Sequence, residues 1–160
     1  MVALILPERE VRPFDSHVLQ AQTYRMIRSW HLIVDHLRSV RENSADEKFS
    51  SALRGVERLA DFIARSSLRH ALFGWTSSLI CASNKPGIPR PLWPNLRISA
   101  QSSGLIEFRY IDAAVQRRQW TRAETPERAV NRLTTFLDQL HWVSGPVTIF
   151  PEPQIDEFTA

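Results

Sequence analysis

The sequence predicts an α+β fold: an antiparallel β-meander of about four strands packed against an N-terminal helical hairpin and a C-terminal helix. Three observations carry this. Apolar residues recur at three- and four-residue spacing through the first half of the chain. From Ala71 the period drops to two, and helical spacing returns after Thr125-Pro126-Glu127. The 160 residues suit one domain with a single sizeable core. It is expected to divide into an extended lead-in over 1–15, one α+β domain over 16–150 and an acidic, flexible tail over 151–160.

Pro7 and Pro13, with charges between them, mark the lead-in, where Val2 to Leu6 could add an edge strand or pack on the core. Ser16 is a suitable helix N-cap for the next 25 residues, whose apolar face is Met26, Trp30, Ile33, Leu37 and Val40. Asn43-Ser44 breaks that pattern. Ser44-Ala45-Asp46-Glu47 then has the form of a capping box, in which serine and glutamate satisfy each other's free amides. The second helix carries Phe49, Leu53, Val56, Leu59, Ala60 and Ile63 on one stripe. So short a break between two amphipathic helices predicts an antiparallel hairpin. Gly55 inside the second helix costs about 1 kcal/mol relative to alanine, and it either marks a close approach or is incidental.

A strand is expected over Leu72–Ala82, with Phe73, Trp75, Leu79 and Cys81 on its buried side. Pro86, Pro89, Pro91 and Pro94 make Asn84 to Asn95 a stiff loop. The meander continues through Leu96–Ala100, Leu105–Ile111 and Val115–Arg122. On the second of these strands Ile106, Phe108 and Tyr110 share one face and Glu107, Arg109 and Ile111 the other. The third has no cleanly apolar face, as suits an edge strand. Thr125-Pro126-Glu127 is a helix start with a cap, a first-turn proline and a carboxylate. Val130, Leu133, Phe136, Leu137 and Leu140 form that helix's buried stripe. Gly145-Pro146 closes the region, and Val147 to Phe150 is a candidate for one last short strand.

Composition bounds the function. No apolar run approaches the ~20 residues that span a bilayer, and Val2 to Leu6 is too short for a secretory core of roughly 7–15 residues. Cys81 is the only cysteine, so no intrachain disulfide forms, and the cytoplasm is the expected compartment. On the same side as Phe73, Trp75 and Leu79, Cys81 reads as a small buried side chain. Eighteen of the twenty basic residues are arginine, which offers a planar fork for carboxylate and phosphate. The formal charge is +3 and the pI 9.6, a balance that only weakly favours nucleic acid.

Enzyme signatures are absent. The five glycines are too scattered for a phosphate-binding or dinucleotide fingerprint, and Gly74-Trp75-Thr76-Ser77-Ser78 lacks the second glycine of a serine-hydrolase elbow. His31 and His36 lie about 140° apart around a helix and cannot clasp one ion; His17 and His31 share a face but sit about 21 Å apart along it. Asp35 beside His36 points about 100° away, so the two form no acid–base pair. No metal and no cofactor is implied.

The candidate binding residues are therefore Arg118, Trp120, Arg122, Arg109, Arg117 and Trp93. Arg118, Trp120 and Arg122 share one face of the third meander strand, where guanidinium can stack on indole. Arg117 points to the opposite face. Trp93 is held in the proline-rich loop, capping the core or presented for contact. The function expected first is a non-enzymatic protein-interaction module, an adaptor, chaperone or regulator, with homodimer formation as one form of it. The alternative is nucleic-acid or anionic-ligand binding through the Arg/Trp face, and the third reading is an enzyme with a dispersed site. A membrane partner is not expected.

Overall fold

A computed structural model of the chain describes residues 27–76, 80–83, 94–112 and 115–151. The lead-in, the stretch from Ser16 to Met26 that opens the expected first helix, most of the proline-rich loop with Trp93, and the acidic tail beyond Pro151 lie outside the described residues, as do the side chain of Cys81 and all of His17. The helix expected over the 25 residues after Ser16 is not continuous, because Ile27 and Arg28 pair with Trp75 and Gly74 as a strand and the helix starts only at Trp30.

The fold is α+β. A two-residue strand, β1 (Ile27–Arg28), precedes helices α1 (Trp30–Glu42) and α2 (Glu47–Ala64) and the single turn α3 (Leu68–Ala71). Strands β2 (Phe73–Thr76), β3 (Ile80–Ser83), β4 (Asn95–Ala100), β5 (Ile106–Ile111) and β6 (Trp120–Glu124) follow, and helix α4 (Ala129–Gln139) comes last. All six strands form one antiparallel sheet in sequential order β1 to β6.

The helical hairpin forms as its periodicity demands. Ser29 caps α1, its hydroxyl accepting from the Leu32 amide, and Trp30, Ile33, Val34 and Leu37 are buried. Val40 is exposed, because the helix runs past the core there. α2 is capped by Asp46, whose carboxylate accepts from the Phe49 amide at 3.0 Å, and not by Ser44. The Ser44 hydroxyl instead donates to the Asp46 carbonyl at 3.4 Å, and the chain enters the helix two residues later than the capping-box pattern indicates.

The sheet departs from expectation in two places. Leu72–Ala82 is a hairpin, not one strand: Phe73 pairs with Ser83, Gly74 with Ala82 and Trp75 with Cys81. Its buried residues are Leu72, Gly74 and Ala82, while Phe73 and Trp75 are half-buried on the other side. The cause is α1. A Cβ on Gly74 would stand 2.8 Å from Trp30 and Ile33, so only glycine lets the helix lie on that strand. The large aromatics consequently take the opposite face.

Val115–Arg122 is likewise not one strand. Gln116–Arg118 is a 3₁₀ turn, and β6 begins only at Trp120. Asp112 imposes the turn: its buried carboxylate accepts from the Val115 amide at 3.1 Å and its carbonyl from Gln119 Nε2 at 3.0 Å. Local side-chain bonding of this kind outcompetes a strand ladder.

The meander's inner face is set by register. Leu96 pairs with Tyr110 and Tyr110 with Trp120; Ile98 pairs with Phe108, and Phe108 with Arg122; Ala100 pairs with Ile106, and Ile106 with Glu124. The apolar members of these rows pack under α2 and α4, each fully buried aliphatic or aromatic side chain contributing about 1.5–3 kcal/mol. Gly55 is where α2 approaches most closely. A Cβ there would stand 2.6 Å from Ile106 Cδ1 and 2.7 Å from Pro126 Cβ. α4 starts at Ala129, not at Thr125, because Glu124 takes the Thr125 amide at 3.1 Å and Pro126 to Arg128 form a turn. Val147 to Phe150 makes one bridge, Ser66 to Ile149, alongside the end of α2. Phe150 is anchored there by its amide on the Arg65 carbonyl at 2.7 Å and by the Arg69 guanidinium 4.5 Å above its ring.

Candidate functional site

At the β6 edge the sequence and the fold converge on a notch. The 3₁₀ turn brings Arg117 and Arg118 to one rim, the end of α4 brings Gln139, Leu140 and His141 to the other, and Tyr110 and Trp120 line the bottom. The cavity measures about 540 Å³. Its aromatic floor is fixed from beneath. Trp120 lies 4.2 Å from Phe136 and 5.6 Å from Tyr110 between ring centroids, and Tyr110 packs edge-on against Trp142 at 6.1 Å. Such ring pairs add about 0.5–1.5 kcal/mol each beyond the area they bury. Burial, and then the negative charge of Asp112, push the Tyr110 hydroxyl above its ordinary pKa, so it stays protonated and able to donate.

His141 is the conformational outlier of the notch. It has φ 52°, the left-handed region, at the position just past α4 where glycine is usual. Its amide donates to the Asp138 carbonyl at 3.0 Å and the Trp142 amide to Leu137 at 3.1 Å, the paired bonds of a Schellman motif. The helix end is thereby closed with a histidine that lines the same cavity as the two arginines.

Beside the notch runs the free edge of β6. Among the described residues β6 pairs only with β5, and its residues Thr121, Arg122 and Ala123 are exposed. Arg122 donates from Nη1 to the neighbouring Thr121 carbonyl at 3.0 Å. The strand's end is secured by Glu124, which is buried and accepts from Arg132 at 2.7 and 3.0 Å. The hydrogen bonds from Arg132, then that from the Thr125 amide, hold the Glu124 carboxyl below its usual pKa.

The predicted residues are thus redistributed. Arg117 and Arg118 do not point to opposite faces, because they sit in a turn and line one cavity. Trp120 stacks on Tyr110 and Phe136 and on neither arginine. Arg122 lies along the edge outside the notch, at the position opposite Phe108. Arg109 is on the outer face of the sheet, opposite Arg97 on β4 and Thr121 on β6, and 3.9 Å from Glu107. Trp93 lies outside the described residues.

A second charged surface escaped the sequence reading. Arg38 and Arg41 of α1 and Arg54, Arg58 and Arg65 of α2 line a recess of about 370 Å³ on the hairpin's outward side. Glu57 stands between the helices and accepts from Arg38 Nε at 3.0 Å and Arg41 Nε at 2.8 Å, and Asp61 pairs with Arg65. The hydrogen bond to Glu57, and then its charge, raise the Arg41 pKa. The available signal was the spacing: Arg54 and Arg58 at four residues on the side of the second helix away from its apolar stripe, and Arg38 and Arg41 at three residues beside and at the end of the first helix's stripe.

A smaller cavity of about 250 Å³ beside Trp30 and Leu72 has His31 and His70 at its rim and no carboxylate in its lining, so it offers no paired acid and base. Among the described residues no three histidine, cysteine or acidic side chains gather as metal ligands. No helix of the described residues is long and apolar enough to cross a membrane. No family model, curated protein or solved structure matches the chain.

Proposed function

We propose that this chain is a non-enzymatic protein-interaction module that takes an extended, acidic segment of a partner protein along β6, with the segment's end seated in the Arg117–Arg118 notch. The observation that carries this reading is the edge of β6, unpaired among the described residues, lying directly beside a cavity with an aromatic floor and a cationic rim. Strand addition to an open edge supplies main-chain hydrogen bonds, and side-chain pockets supply specificity. No carboxylate among the described residues pairs with Arg117 or Arg118, which leaves their forks available for a partner's.

Charge argues for a different protein over a second copy. Arg122 is the central residue of β6, and a symmetric antiparallel pair would set it opposite itself, a like-charge contact that destabilises a sheet. The same arginine excludes strands that bring no negative charge. Nucleic-acid binding is the second reading, and its supporting observation is the Arg97–Arg109 pair exposed side by side on the sheet's outer face. A steep fall in affinity with salt separates it from the first.

The test is affinity selection of a random peptide library on the full chain. Enriched peptides should carry Asp or Glu at alternate positions, and Arg117→Ala/Arg118→Ala should weaken them at least tenfold. Enrichment without acidic bias, or peptides indifferent to that double substitution, would refute the reading.

A further inference from the structure

We infer that the arginine recess on the helical hairpin is a binding site for a compact phosphate polyanion such as a triphosphate chain. This site is separate from the β6 edge, lies on other elements and does not depend on the reading given for that edge.

Every residue lining the recess is charged. Five arginines line it against two carboxylates, Glu57 and Asp61, while Asp35 stands 3.5 Å from Arg38 and Glu42 3.8 Å from Arg41 at its border, so one positive charge remains in excess. An apolar ligand therefore finds no surface to bury there. The arginines also differ in their engagement. Glu57, whose side chain is 14% exposed, grips Arg38 and Arg41 through their Nε atoms. This fixes both stems across the helix–helix seam, with Arg38 Nη1 3.5 Å from Asp35 and Arg41 Nη2 3.8 Å from Glu42. Arg54 and Arg58 make no hydrogen bond or ion pair to any described residue. They stand one turn apart on α2, with Cβ atoms about 5–6 Å from each other, as suits two linked anionic groups. Arg65 extends the stripe to about 16 Å along the same helix.

The size of the site decides which anion fits. About 370 Å³ is at the small end of ligand cavities. An acidic peptide brings one charge per side chain and spreads them along its length, so few reach so small a recess together. Linked phosphoryl groups concentrate charge in a small volume and present the oxygen pairs that a guanidinium fork binds bidentately. Glu57 holds two of the forks in place.

Calorimetric titration of the full chain with sodium tripolyphosphate at low ionic strength tests this. The expected result is saturable one-to-one binding, at least tenfold weaker in Arg54→Ala/Arg58→Ala and changed less than twofold in Arg117→Ala/Arg118→Ala. Orthophosphate should bind at least tenfold more weakly than tripolyphosphate. Both altered arginines are exposed and have no partner among the described residues, and matching thermal melts will establish that the double variant is folded. The inference is overturned by absence of saturable binding, by equal weakening in the hairpin and notch variants, which would mean net charge alone, or by orthophosphate binding as tightly as the chain.

Discussion

Gly55 and Glu124 hold opposite sides of one junction, where α2, β5 and the turn into α4 meet. Helix propensity alone favours alanine over glycine at position 55 by about 1 kcal/mol. Space argues the other way, because a Cβ would meet Pro126 Cβ at 2.7 Å and its Cα at 2.9 Å, and a proline ring cannot swing aside. Overpacking of this kind costs about 1–3 kcal/mol, so Gly55→Ala should lower stability despite its better propensity, read as a smaller urea midpoint at unchanged slope. A raised midpoint would mean that the junction has slack. Sequence left Gly55 open between a close approach and an accident, since only tertiary contact distinguishes the two. Glu124 gives a pH signature. Its folded-state pKa is lowered from the ordinary 4.5, so its contribution to stability is present above that pH and is lost as pH falls below it through the folded value. Glu124→Gln should therefore lower the urea midpoint at pH 7, and the gap to the parent protein should narrow by pH 3.5. Parallel curves over that range would contradict the assignment.

Elements were legible where periodicity is long and obscure where a single side chain diverts the backbone. The first helix from Trp30 onward, the second helix, the β4–β5 pair and α4 follow from their apolar spacing, because many residues must agree to produce it; the strand at Ile27–Arg28, inside the expected first helix, does not. The hairpin hidden in Leu72–Ala82 did not, since two strands in succession can keep one alternating pattern. The 3₁₀ turn at Gln116–Arg118 depends on one buried aspartate, and missing it put Arg117 and Arg118 on opposite faces. Helix starts carry the same lesson. Ser44 and Asp46 both suit the cap of α2, and the aspartate holds it. Asp46→Ala should cost about 1 kcal/mol, whereas Ser44→Ala, which loses only a 3.4 Å contact to a carbonyl, should leave the thermal midpoint nearly unchanged. The reverse order of effects would restore the capping box.

At the scale of the whole molecule, helices cover one face of a six-stranded sheet and leave the β6 edge and the Arg97–Arg109 row uncovered among the described residues. The arginine excess read from composition is divided over surfaces on different elements. One is the notch at β6, a second is the sheet's outer face and a third is the recess on the hairpin. Sequence found Arg117, Arg118 and Trp120 but not the geometry that unites them, because a strand and a turn place the same residues differently. It passed over the hairpin recess because helix charges look the same in sequence whether or not two helices align them. The most direct measurement of the central claim is a backbone amide shift map of the full chain titrated with an acidic peptide obtained by the selection. The account predicts the largest changes along Gln116–Glu124 and at His141. Changes centred instead on Arg97 and Arg109, or on α1 and α2, would contradict it.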